Sequence, residues 1–147
     1  MANSDHDDDP NRGRAALSTW EALHAYARDN YALDAEGEGW LATTVFWSDT
    51  PRSQQVRISA FDRADGAPWI ALRSTVCRKE QLEPEEAIRQ NDDLAVATLA
   101  LTDDDSYELV YSFPLAALTG AVLDDLVNHV AAAADDLEEP TTGGDEY

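Results

Sequence analysis

A single cysteine, Cys77, occurs in the 147 residues. No internal disulfide can form, which excludes the disulfide-stapled secreted scaffolds and fits a reducing, cytoplasmic setting. Lysine is as scarce, with Lys79 alone beside nine arginines. No basic cluster exists that would release counterions from phosphates, so neither nucleic acid nor an anionic membrane surface is an expected partner. Apolar runs are short, and none approaches the ~18 residues that suggest a membrane span. The opening MANSDHDDDPNRGR lacks an apolar core and does not read as a secretory signal. Three histidines, His6, His24 and His129, are scattered, whereas a metal site needs several converging ligands. Asp7, Asp9 and Asn11 begin like a calcium loop, but Arg12 stands where that loop needs glycine and Ser18 where it needs glutamate. There is no Gly-rich phosphate loop and no Gly-x-Ser-x-Gly elbow. No cofactor is expected.

What the chain has in excess is acid. Its 30 Asp and Glu give a formal net charge of −20. Four acids fall in Asp5–Asp9 and six in Asp135–Glu146, and the remaining 20 face all 10 basic residues. An acidic body favours a basic partner, mainly through the association rate. A generally acidic proteome gives the same composition without implying any partner. The length and the 44% hydrophobic content support one domain with an ordinary core. The expected division is an acidic, disordered tail over 1–13, one domain over 14–138 and a flexible acidic tail over 139–147.

Periodicity predicts a helix from about Arg14 to Arg28, on which Leu17, Trp20, Leu23, His24 and Ala27 share a face, with Ser18 or Thr19 able to cap a later start. Three strands follow: Gly39 to Trp47, Gln54 to Asp62 and Pro68 to Val76. The last two alternate apolar and polar residues and are joined by an Asp65-Gly66 turn. Pro84 and the acids beside it open a short helix ending near Asn91. Strands at Leu94–Leu101 and Ser106–Phe113 come next, then a long helix over about Thr119–Leu137 with Leu118, Val122, Leu126 and Val130 in a stripe. The order α-β-β-β-α-β-β-α implies an α+β fold, a five-stranded antiparallel sheet with three helices.

Few residues offer chemistry. Cys77 lies beside Arg78 and Lys79, two cations that lower a thiol pKa. A nucleophilic cysteine also needs a positioned base, which here could come only from His24 or His129 across the fold. A buried structural thiol is the expected role, and no enzyme activity is expected. Asp103–Asp105 reads as a solvated turn. The aromatics are more informative. If Ile58, Ile70 and Leu72 face the helices, alternation sends Phe61 and Trp69 to the other side of the sheet with Arg57 and Arg73. With Trp47, these five are the candidate protein-binding residues, because aromatic residues and arginine are enriched at interfaces. The same residues equally suit a second small core or a dimer seam.

The segments LEPEEAIRQNDDLAVATLAL and SYELVYSFPLAALTGAVLDDLVNHVAAAADDLEE complete the pattern. A short helix ends at an Asn-containing turn (Asn91), two hairpin strands follow, and a Pro-Leu link (Pro114-Leu115) leads through Leu118 into a long helix ending in an acidic stretch at Ala133–Leu137. In this, and in its element order, the chain resembles type III secretion chaperones of the Tir-chaperone class and the related YbjN-like proteins. The resemblance spans about 14–139 and is closest over 82–139. It implies a small, acidic, cytoplasmic, non-enzymatic bacterial protein that binds peptide segments of a partner, commonly as a homodimer. It supplies no catalytic residue. The alternatives are a regulatory or structural subunit of a larger assembly and a cysteine-dependent enzyme.

Overall fold

The computed structural model of the chain describes residues 11–142; residues 1–10 and 143–147 of the tails expected over 1–13 and 139–147, with His6 and the calcium-like Asp7 and Asp9, lie outside them. The elements are α1 (Trp20–Asn30), β1 (Leu33–Gly37), β2 (Trp40–Phe46), β3 (Ser53–Asp62), β4 (Pro68–Arg78), α2 (Pro84–Asp93), β5 (Thr98–Leu101), β6 (Ser106–Pro114) and α3 (Gly120–Thr142). Short 3₁₀ turns occur at Arg12–Arg14, Lys79–Gln81 and Leu115–Ala117. The fold is α+β, and its antiparallel sheet runs β1-β2-β3-β4-β6-β5.

The sheet has six strands among the described residues, where five were expected. The addition is β1, whose sequence LDAEG holds no β-branched or aromatic residue, so propensity gives no sign of it. It forms by pairing with β2 across a two-residue link, in which Gly39 adopts φ +74°. The first helix begins at Trp20 because Thr19 caps it: its Oγ1 accepts a 3.1 Å hydrogen bond from the Ala22 amide. The residues ahead of it pack against the rest of the chain. Arg12–Arg14 form their own turn, the Leu17 amide donates to the Leu118 carbonyl at 3.0 Å, and the Gly120 amide donates to the Ala15 carbonyl at 3.0 Å. At the other end, α3 runs past Leu137 to Thr142 with Pro140 inside it.

Every helix among the described residues packs on one face of the sheet. The larger core joins Leu23 and Ala27 of α1 and Leu123, Leu126 and Val130 of α3 to Leu41, Val56, Ile58, Ile70 and Leu72 of the sheet. A second cluster joins Ala87 of α2 and Ala134 of α3 to Val76, Cys77, Leu99, Tyr107 and Leu109. A shift of register between Thr75 and Cys77 lets two consecutive residues, Val76 and Cys77, both be fully buried. The hairpin after β3 turns at Gly66, with φ +87°, as its Asp-Gly pair predicts.

Candidate protein-binding face

Among the described residues, the opposite face of the sheet carries no helix. Directly paired residues of antiparallel strands share a face, so the ladder gives its composition. Arg57 stands opposite Arg73, Phe61 opposite Trp69, Thr75 opposite Glu108 and Arg73 opposite Val110. Four of the five candidate residues, Arg57, Phe61, Trp69 and Arg73, are therefore neighbours on the open side. The fifth is elsewhere. β2 ends at Phe46, and Trp47 packs against the larger core. Phe46 takes the open-face position, in step with Ala42, which pairs with Arg57, and is 75% exposed; Trp47 has the parity of Leu41 and Thr43, so alternation along β2 itself points it to the covered side.

Two guanidiniums directly opposite each other repel. The charge that separates them is Glu108, which was not among the candidates. Its Oε1 accepts from Arg57 at 3.3 Å and its Oε2 from Arg73 at 3.2 Å. The Glu108 side chain is 11% exposed, against 46% for Arg57 and 36% for Arg73. One carboxylate thus bridges two half-exposed cations. The alternation of Tyr107, Leu109, Tyr111 and Phe113 toward the core already puts Glu108 on the other side, and that was the available signal.

Toward the β3–β4 hairpin the face turns aromatic. Phe61 is 40% exposed, and the Arg63 guanidinium lies 5.3 Å from the Trp69 ring centre. Arg63 is also paired with Asp65, whose carboxyl this ion pair holds below its ordinary range. A groove of about 340 Å³ continues from Phe61 and Trp69 around the end of the sheet to Trp20 and Leu115. Trp20, at the first position of α1, extends the aromatic surface beyond what strand alternation reveals.

Other polar groups tie elements of the fold together. Asp124 of α3 accepts from the hydroxyls of Tyr26 and Tyr31 and lies 3.5 Å from Arg12, tying the N-terminal turn to both long helices. Burial, then the bond to Asp124, raises the Tyr31 pKa above its ordinary value. His24 contacts Glu36 at 3.2 Å and the ring of Trp20, and His129 is exposed on α3. Cys77 is fully buried, whereas a reactive thiol needs access. Among the described residues, no group of three His, Cys, Asp or Glu side chains is placed to hold a metal ion, and no helix is long and apolar enough to cross a membrane.

Six antiparallel strands, three helices on one side and an open face on the other can be set beside known structures. No family model and no curated protein matches the sequence. Solved structures do match. One is the HopA1-SchA chaperone-effector complex, 12% identical, covering 84% of this chain and 91% of that one with a TM-score of 0.56. Another is the Yersinia pestis type III secretion chaperone SycH in complex with a stable fragment of YscM2, 17% identical, covering 81% of this chain and 99% of that one with a TM-score of 0.55. The fold is that of the type III secretion chaperones. At these identities the likeness is one of backbone. Within this chaperone-like fold, the Arg57–Glu108–Arg73 bridge and the Phe61–Trp69 pair are described from this chain alone.

Proposed function

We propose that this protein is a non-enzymatic, chaperone-like module that holds an extended segment of a partner protein against the open face of its sheet. The observation that carries this reading is the face itself. Among the described residues it is a helix-free surface holding Phe46, Phe61 and Trp69 with two half-exposed arginines, while the helices pack on the other face. Exposed aromatics beside arginine are the composition of binding hot spots. Both similar structures are complexes with a bound protein, which supports the same reading. The client is drawn in by the acidic body, so its overall character is basic. The module acts as a cytoplasmic homodimer. Ile88 of α2, Val96 of the following link and Leu101 of β5 are 71%, 53% and 44% exposed and supply an apolar seam at the end of the sheet away from β1.

The reading is tested by capturing partners from the source cell and measuring by calorimetry the binding of their unfolded segments. Micromolar or tighter binding that Phe61→Ala and Trp69→Ala weaken supports it. No client, and no binding from an unbiased peptide library, overturns it. Light scattering gives the mass. A dimer that Ile88→Asp converts to monomer supports the seam, whereas a permanent large complex favours a fixed structural subunit instead.

A further inference from the structure

The chain is acidic overall, yet the centre of its open face is locally cationic. Arg57 and Arg73 share the one carboxylate of Glu108, and each gives it a single bond at 3.3 and 3.2 Å. A guanidinium has five N–H donors and pairs best with a carboxylate through two shorter parallel bonds. Most of the donors of both residues therefore remain available on the exposed side. Gln55, Arg57, Arg73, Thr75 and Glu108 enclose a small recess of about 100 Å³ at this point. A second acid turned toward this side is Asp34 of β1. It is already engaged, accepting from the Thr44 hydroxyl at 2.6 Å and from the Gln55 amide at 3.1 Å. The lining of the recess itself, two guanidiniums and one carboxylate, carries a net positive charge, and the Asp34 carboxylate, bound to Thr44 and Gln55, lies outside that lining.

We infer that the open face reads a single Asp or Glu side chain in the docked segment, held between Arg57 and Arg73. This rests on the client-holding reading above and specifies its chemistry. A lysine at that position meets two guanidiniums and is rejected. A run of acids is rejected by the −20 net charge of the whole molecule. The segment that fits is one carboxylate flanked by apolar residues, which reach Phe61 and Trp69 on one side and Phe46 on the other. Its remaining length is neutral or basic, as the long-range field prefers. The acidic body thus governs the encounter, and the arginine pair fixes the register.

The test uses the full chain and a displayed library of 12-residue random peptides, followed by synthesis of the selected sequences with and without their acidic residue. The expected result is enrichment of one Asp or Glu within an apolar stretch. Replacing that residue by its amide should weaken binding about tenfold, the scale of one charged hydrogen-bonded contact. The triple change Arg57→Gln, Arg73→Gln, Glu108→Gln removes the charges together without stranding the buried carboxylate, and should abolish the preference for acid over amide. Glu108→Gln alone frees both guanidiniums and should tighten binding of the acidic peptides severalfold, a gain that a misfolded variant cannot mimic. Peptides that bind equally with acid or amide, or that prefer lysine at that position, overturn the inference while leaving the client-holding function standing. If no peptide binds, the client-holding function fails and the inference falls with it.

Discussion

On β3 and β4, Val56, Ile58, Ile70 and Leu72 turn to the helices and are fully buried, while Arg57, Phe61 and Arg73, at the alternate positions, turn to solvent. Both sets come from the same two strands. The covered face is aliphatic and closely packed, and the open face sets aromatic rings around an ion bridge. Core packing and the proposed recognition thus fall on alternate positions of one hairpin, so a change at either set should leave the other nearly intact.

The largest expected effect lies on the covered side. Leu72→Ala should cost about 2–5 kcal/mol, read from urea unfolding, while Phe61→Ala should cost under about 1 kcal/mol. Equal costs would mean that the open face is covered in solution. Gly120→Ala comes next. Its added Cβ would lie 2.6 Å from the Arg12 carbonyl and 2.8 Å from the Tyr26 ring, so α3 and the N-terminal turn must part. A loss of about 1–3 kcal/mol is expected, visible as a lower Tm. On the open side, Glu108→Ala should cost only about 1 kcal/mol, because solvent screens its half-exposed partners. The urea midpoint measures it, and a loss as large as that of Leu72→Ala would make the ion bridge a structural core.

The smallest effect is alkaline. The Tyr31 pKa is raised in the folded protein, chiefly by burial. The neutral phenol therefore contributes stability that is fully present below the unfolded value near 10, and this is lost as pH rises through the folded value. Tyr31→Phe should shrink the fall in stability above about pH 10, with Tyr26 and Tyr107, also raised, supplying the rest. An unchanged alkaline limb would show that Tyr31 is solvated.

The parts legible in the sequence are those in which local chemistry and tertiary contact agree. Alternation along β3 and β4 assigned Arg57, Phe61, Trp69 and Arg73 to one side, and Asp65-Gly66 marked the hairpin. Thr19 was one of two named caps, and Pro84 marked the start of α2. Where long-range pairing decides, the signal fades. LDAEG is a strand only because β2 lies beside it. The Ala15–Leu17 segment is ordered only because Leu118 and Gly120 hold its backbone. Trp47 was a candidate by residue type, but it shares the parity of Leu41 and Thr43, which pair with the buried Ile58 and Val56, and its ring packs on the core. Glu108 needs two inferences at once, its own parity and the pairing of β6 with β4, and the second is invisible without the register.

The offset register at Thr75 and Cys77 has one more consequence. It rotates the only sulfhydryl of the molecule out of the alternation that would have sent it to the open side, and seals it among Val76, Leu82, Leu99 and Tyr107. The native protein thereby holds a single chemical clock. An alkylating reagent can reach that atom only when the α2–β5 end of the domain breathes, so the pace of modification counts those openings directly and without any engineered label.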